Sequence, residues 1–397
     1  VAQVAADGHA HAHRPPPSAA ADHPAAPGEV RFPGRDAALA WAGGALHAVY
    51  VDEGGERGPR VLHRRLDAQP SAAHVVSPAG EVTTAHGESA LALAALPDGT
   101  LVAAYPARRP GKWQGVLLVQ RSTDGGVTWS APRPLHDDGR DGGAHNFLDA
   151  VATPEGEVVF AWLDDRSGRQ GLRLAATADG ATMAANRTVD PATCECCRTA
   201  LLAGAGGRLW LAWRDSEAGV RDVALARSRD GGRRFAPAVA VSQDGWEIDG
   251  CPHSGPRLAR AADGALWTTW MTGADPAPGL YAAVSRDDGA TFSPRQEIAR
   301  STPGGAHASH PEIAVLPDGR VAVLYETTGE RRHELRMRTA EAENGWSAPA
   351  TLAADATYPR WSARPDAETG ALVFTRHGGE GGSEVVVRRW PDLGPGR

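Results

Sequence analysis

An all-β fold, a single seven-bladed β-propeller with four-stranded antiparallel blades, follows from three features of this sequence. The 397 residues include 47 glycines and 30 prolines, a composition suited to many short strands and turns. One pattern (Gly, any residue, Leu or Val, three residues, then usually an aromatic) recurs seven times at spacings of 51 to 57 residues. Short apolar runs flank each of its glycines, and a single stranded repeat cannot bury both faces, so neighbours must stack around an axis. Six blades is the alternative if the first or last copy is not a true blade.

Residues 1–29 are rich in Ala, Pro and His without apolar periodicity and read as a disordered tail. Its start, Val1 to Asp7, resembles the small-residue end of a cleaved signal peptide, so the chain is expected to be exported, to a periplasm or the extracellular face. His9, His11 and His13 alternate with alanine and are either a polar spacer or a loose metal-capturing segment.

The propeller is expected over 30–397. Its repeats begin at Gly44, Gly99, Gly156, Gly207, Gly264, Gly319 and Gly370, followed by Tyr50, Tyr105, Trp162, Trp213, Trp270 and Tyr325, with Arg376 in the last copy. Each Gly sits between two strands, where a hairpin requires positive φ. The last copy runs out after Arg388, and a strand near Val30–Phe32 can complete it and close the ring.

Composition excludes several classes. A net charge of −7 provides no basic surface for nucleic acid or an anionic membrane. No run of eighteen apolar residues exists to span a bilayer as a helix. Lys112 is the only lysine, which leaves almost no room for Schiff-base chemistry.

A second motif lies in the later strands. Ser122, Asp124, Gly126, Thr128 and Trp129 fit S-x-D-x-G-x-T-W; Ser285, Asp287, Gly289 and Thr291 fit it with Phe292 last. Ser228, Asp230, Gly232 and Phe235 fit with Thr replaced, and Thr177, Asp179, Gly180 and Thr182 form a shortened copy. Asp in such a box accepts backbone N–H groups across a tight turn while the aromatic packs between blades, so the boxes are scaffold. In them the chain resembles the sialidase-like (BNR, Asp-box repeat) β-propeller superfamily over roughly residues 30–390.

In a propeller the innermost strands start near the axis on one face, so a count back from the hairpin glycines locates the mouth. Thirteen residues back lie Arg31, His86, Gly143, Cys194, Cys251, Ala306 and Thr357; eleven back lie Pro33, Glu88, His145, Cys196, His253, Ala308 and Pro359. All four cysteines are therefore expected at one mouth. Thiolate and imidazole together suit a soft or borderline metal, copper(I) or zinc. The expected ligands are Cys194, Cys196, Cys197, Cys251 and His253, with His145 or His307 added from adjoining blades, and copper is favoured by the His-rich start and the expected export. Arg198 beside the cluster is expected to favour thiolate.

Two other readings compete. The resemblance implies an exo-α-sialidase-type glycoside hydrolase acting on acidic sugars, and this is the chain's reaction if it is an enzyme. The implied residues are Tyr358 as nucleophile with Glu326 as its partner, and Arg31, Arg214, Arg257 and Arg360 as a carboxylate clamp. Alternatively the propeller is a non-catalytic binder of a periplasmic protein partner, with Cys194 and Cys251 stapling neighbouring blades as a disulfide.

Overall fold

The computed structural model describes residues 28–393 except 56–57, 68–69, 109–114, 141–142, 217–218, 303–305, 329–332, 342–344, 365, 367 and 379–381. The described chain forms seven antiparallel sheets, one for each expected blade, which excludes the six-bladed alternative. No helix among the described residues is long and apolar enough to cross a membrane. The innermost strands of blades 1 to 7 are Arg35–Ala42, Ala92–Ala95, Asn146–Ala152, Ala200–Gly204, Arg257–Arg260, His307–Val315 and Ala356–Ala363.

The ring closes as expected. Val30–Pro33 pairs with Ser383–Arg389 and becomes the outermost strand of blade 7. Arg31 is thereby carried to the rim of the molecule, where it donates to Glu29, so it cannot take part in a clamp at the axis. The count back from Gly44 misses the axis because the residues it reaches, Arg31 and Pro33, still belong to the outermost strand of blade 7. Most of the expected tail, residues 1–27, lies outside the described residues. Glu29 belongs to the propeller: its buried carboxylate also receives Arg388.

Burial follows the repeat. Apolar side chains gather in seven clusters, one between each pair of neighbouring blades. The repeat aromatics Tyr50, Tyr105, Trp162, Trp213, Trp270 and Tyr325 are all buried. Their second-strand positions alternate with residues facing the other neighbour, as a sheet covered on both faces requires. Six of the seven repeat glycines stand at hairpins with φ between 69° and 90°, whereas Gly370, expected at a turn, opens the strand Gly370–His377 and pairs with Ala363. Gly370 is small because a Cβ there would stand 2.1 Å from the Trp361 ring.

The Asp-boxes behave as scaffold. Asp124 Oδ1 accepts N–H groups of Val127 (3.1 Å) and Thr128 (3.0 Å), and Asp287 Oδ1 those of Ala290 (3.1 Å) and Thr291 (2.9 Å). Trp129, Phe235 and Phe292 pack into the interfaces between blades 1 and 2, 3 and 4, and 4 and 5.

The axis owes its character to β-bulges. Register breaks between Arg35 and Ala38, Asn146 and Asp149, Ser309 and Glu312, and Thr357 and Arg360. Each break contains a non-glycine residue at positive φ: Asp36, Phe147, His310 or Tyr358. A bulge re-aims the side chains beside it. Just beyond, the equivalent position on the seven inner strands is Ala38, Ala92, Asp149, Ala200, Arg257, Glu312 and Arg360, all lining a central channel of about 330 Å³.

Candidate functional site: a thiol cluster at the mouth of the channel

The two cysteine loops are the connections entering blades 4 and 5, and long-range hydrogen bonds fix both. Thr193 N–H donates to the Gln170 carbonyl (2.9 Å) and Cys194 N–H to that of Arg214 (3.0 Å). Glu88, buried and contributed by blade 2, ties the loops to each other: its Oε2 accepts Gly255 N–H (2.8 Å) and Arg198 N–H (3.4 Å). The approach is so close that a Cβ on Gly255 would stand 2.1 Å from the Arg198 carbonyl oxygen. Arg214 Nη2 adds donations to the carbonyls of Ser254 (2.9 Å) and Met271 (2.7 Å), with its guanidinium over the Trp246 ring.

This scaffolding gathers the sulfurs. Cys194, Cys196 and Cys197 are buried and Cys251 is exposed, and all four are free thiols. The expected Cys194–Cys251 staple is therefore absent. Cys194 Sγ lies 3.9 Å from Cys196 Sγ and 4.0 Å from Cys197 Sγ. The ligand atoms of Cys194, Cys196 and Cys197 all fall within 4.8 Å of one another, and so do those of Cys196, Cys251 and His253. Thiolates about 2.3 Å from a metal stand about 4.0 Å apart in a trigonal plane and about 3.8 Å apart in a tetrahedron. The observed spacing is already that of a metal's ligand shell.

The electrostatics divide the three buried thiols. Hydrogen bonding with the Cys196 and Cys197 thiols, with help from the Arg214 charge, pushes the Cys194 thiol far down. Burial pushes Cys197 up to about 12, and interaction with the other two thiols raises Cys196 as well. The cationic neighbour of Cys194 is thus Arg214, in place of the expected Arg198, whose guanidinium faces Glu88 (3.4 Å) and donates to the Pro311 carbonyl (3.1 Å). Burial lowers His253, favouring the neutral imidazole that a metal needs. His253 sits at φ 47°, and its carbonyl accepts His310 Nε2 (3.0 Å). His310 Nδ1 meets Glu326 at 3.1 Å; burial opposes its protonation, but Glu326 prevails and raises its pKa.

The other expected residues divide. His145 is not with the cysteines: Asp138 accepts from its Nε2 (3.0 Å), and its ring stacks on His136 at 3.7 Å. His307 is exposed at the start of the blade 6 inner strand and shares no ligand group with the sulfurs among the described residues.

Tyr358 and Glu326 do meet, but Glu326 accepts the Tyr358 backbone N–H while the phenol ring packs against His310 at 4.6 Å. Burial and the nearby carboxylates of Glu326 and Glu88 push the phenol far above its ordinary range, opposite to what a nucleophile needs. Arg257 and Arg360 both line the channel, whereas Arg214 is spent on backbone carbonyls. Arg257 faces Glu312 (3.4 Å) and Asp149 (3.6 Å). Burial and the charges of Arg198 and Arg257 lower Arg360 to about 9.

Sequence reasoning missed Glu88, Glu312 and Asp149 as functional partners of these arginines. The signal available was register: Glu88 occupies the same offset as Cys196 and His253.

Residues 63–269 match the family described as BNR repeat-like domain. No curated protein matches the chain. Among solved structures, the α-L-arabinanase of Penicillium chrysogenum complexed with arabinobiose is similar at 17% identity, covering 76% of this chain and 92% of its own, with a TM-score of 0.52. The NanB sialidase of Streptococcus pneumoniae is similar at 13% identity, covering 79% of this chain and 70% of its own, also with a TM-score of 0.52. An α-L-arabinofuranosidase of Fusarium graminearum, in complex with an iminosugar inhibitor, shares 16% identity over 78% of this chain and 97% of its own, with a TM-score of 0.51. At these identities the likeness is one of fold.

Proposed function

The chain belongs to the BNR repeat-like domain family, and since that fold hosts several chemistries, we propose that this member binds a soft metal ion, copper(I), through its cysteine cluster. The observation that carries the reading is three buried, unpaired sulfurs at 3.9 and 4.0 Å, with a fourth sulfur and an imidazole beside them. Zinc sites built on thiolates are almost always closed tetrahedra of four ligands. The buried trio offers three sulfurs, a ligand number that copper(I) accepts and a closed zinc tetrahedron does not. Thiolate softness selects the same ion.

The competing reading is glycoside hydrolysis, the activity named for the structural neighbours. It is disfavoured by the clamp arginines Arg31 and Arg214 standing apart from Arg257 and Arg360 and by the raised Tyr358 phenol. The test is elemental analysis of protein loaded anaerobically with copper(I) and desalted, beside a thiol count. Retained copper in the wild type, and none when Cys194, Cys196 and Cys197 are changed together to Ser, is the expected result. A wild type that retains no copper yet turns over a fluorogenic sialoside or arabinoside would move the assignment to the hydrolase.

A further inference from the structure

The five ligands do not form one coordination shell. They fall into two groups of three, Cys194 with Cys196 and Cys197, and Cys196 with Cys251 and His253, and only Cys196 belongs to both. Among the described residues, no group joins Cys251 to Cys194 or Cys197. Ligand atoms on one ion stand at most about twice a metal–sulfur bond of about 2.3 Å apart. One ion therefore cannot collect all four sulfurs in this arrangement.

We propose that the cluster holds two copper(I) ions bridged by the Cys196 thiolate: an inner ion on Cys194, Cys196 and Cys197, and an outer ion on Cys196, Cys251 and His253. This rests on the soft-metal reading above and extends it. A thiolate sulfur keeps lone pairs after binding one metal, so Cys196 can serve both.

The two positions also differ in access. The inner sulfurs are buried, whereas Cys251 and His253 are exposed. The outer loop is nonetheless pinned: Glu88 receives Gly255 N–H, Arg214 holds the Ser254 carbonyl, and His310 holds the His253 carbonyl. A rigid exposed pair of donors beside a buried trio makes an entry position and a holding position, with Cys196 as the shared ligand across which an ion passes. Copper enters as copper(I), so no electron moves; each thiol that binds gives its proton to solvent.

The test uses the whole chain, loaded anaerobically with copper(I) supplied as its acetonitrile complex, desalted and analysed for copper per chain. X-ray absorption is recorded at the copper edge on the same samples. The wild type is expected to hold two ions and to show a copper–copper vector. Cys251→Ser, at an exposed position, should leave thermal unfolding of the metal-free protein unaltered, hold one ion and lose that vector; His253→Ala should likewise hold one ion and lose the vector. One ion in the wild type, unchanged by Cys251→Ser, would overturn the two-ion arrangement and leave single-metal binding standing. No copper in any of these proteins would overturn both.

Discussion

Two groups of metal-capable side chains stand in different parts of the propeller, a His/Asp triad beside the outer strands of blade 2 and the cysteines in the loops entering blades 4 and 5, and the two are built differently. His136, Asp138 and His145 come as close together as the cysteines do. In that triad three of the four ring nitrogens are taken: Asp138 takes His136 Nδ1 at 2.7 Å and His145 Nε2 at 3.0 Å, and His145 Nδ1 meets the Gly115 carbonyl at 3.2 Å, which leaves only His136 Nε2 buried without a partner. In the cysteine cluster the side-chain hydrogen bonds of the sulfurs run to one another, while Glu88 and Arg214 act on the loop backbone. Proximity of ligand types is common to both; in the triad the carboxylate already takes both imidazoles, whereas the sulfurs have only weak thiol hydrogen bonds to give up. The first group behaves as a structural clamp, the second as a preorganised site.

The largest expected effect breaks the comparison from the cysteine side. Changing Cys194, Cys196 and Cys197 to Ser should abolish copper retention, whereas His145→Gln should leave copper per chain unchanged; elemental analysis of the two proteins side by side checks this.

Next comes Glu88→Gln. It leaves Arg198 buried without its counter-charge, and losing one partner of a buried ion pair costs about 3–5 kcal/mol. Urea unfolding should register that loss, and copper affinity should fall with it because the same carboxylate joins the two loops.

A smaller effect sharpens the triad. His145→Gln should cost about 1–3 kcal/mol through a weakened buried hydrogen bond, again with copper binding intact.

The smallest effects are in pH. Burial raises Asp138, but hydrogen bonds from His145 and His136 outweigh it and hold the carboxyl at about 2. Its contribution is present above the ordinary carboxylate range and is lost as pH falls towards 2. His63 shifts for a different reason. Burial, with the charges of His47 and His74, lowers it to about 3, so the unfolded chain takes up a proton below pH about 6.5 that the native state refuses. Stability should therefore decline as pH falls from about 6.5 towards 3. His63→Phe should flatten that slope in unfolding curves collected at a series of pH values.

The fold was almost wholly legible because a repeat is a one-dimensional signal. The glycine spacing marks seven units, the aromatic six residues on marks six of them and the Asp-boxes mark four, all in the same order. The cysteine cluster was legible for the same reason, since equal offsets in adjacent repeats become neighbours at the axis. Arg31 was misplaced because the ring closes through it, so the first repeat does not share the register of the others. His145 lies at the expected offset but is captured by Asp138, seven residues earlier, an event decided by loop conformation that no offset records. The bulges at Asp36, Phe147, His310 and Tyr358 were equally invisible, because a positive φ on a non-glycine residue is imposed by its surroundings. Glu88 could be placed by register, but not its role, which needs the two loops already folded against each other.

The most direct test of the central claim is the first coordination shell of copper in the loaded wild-type protein, read by X-ray absorption. A shell dominated by sulfur at about 2.3 Å, with a minor nitrogen contribution, is the predicted result. A shell of nitrogen and oxygen alone, or one unaltered when Cys194, Cys196 and Cys197 are changed to Ser, would contradict it.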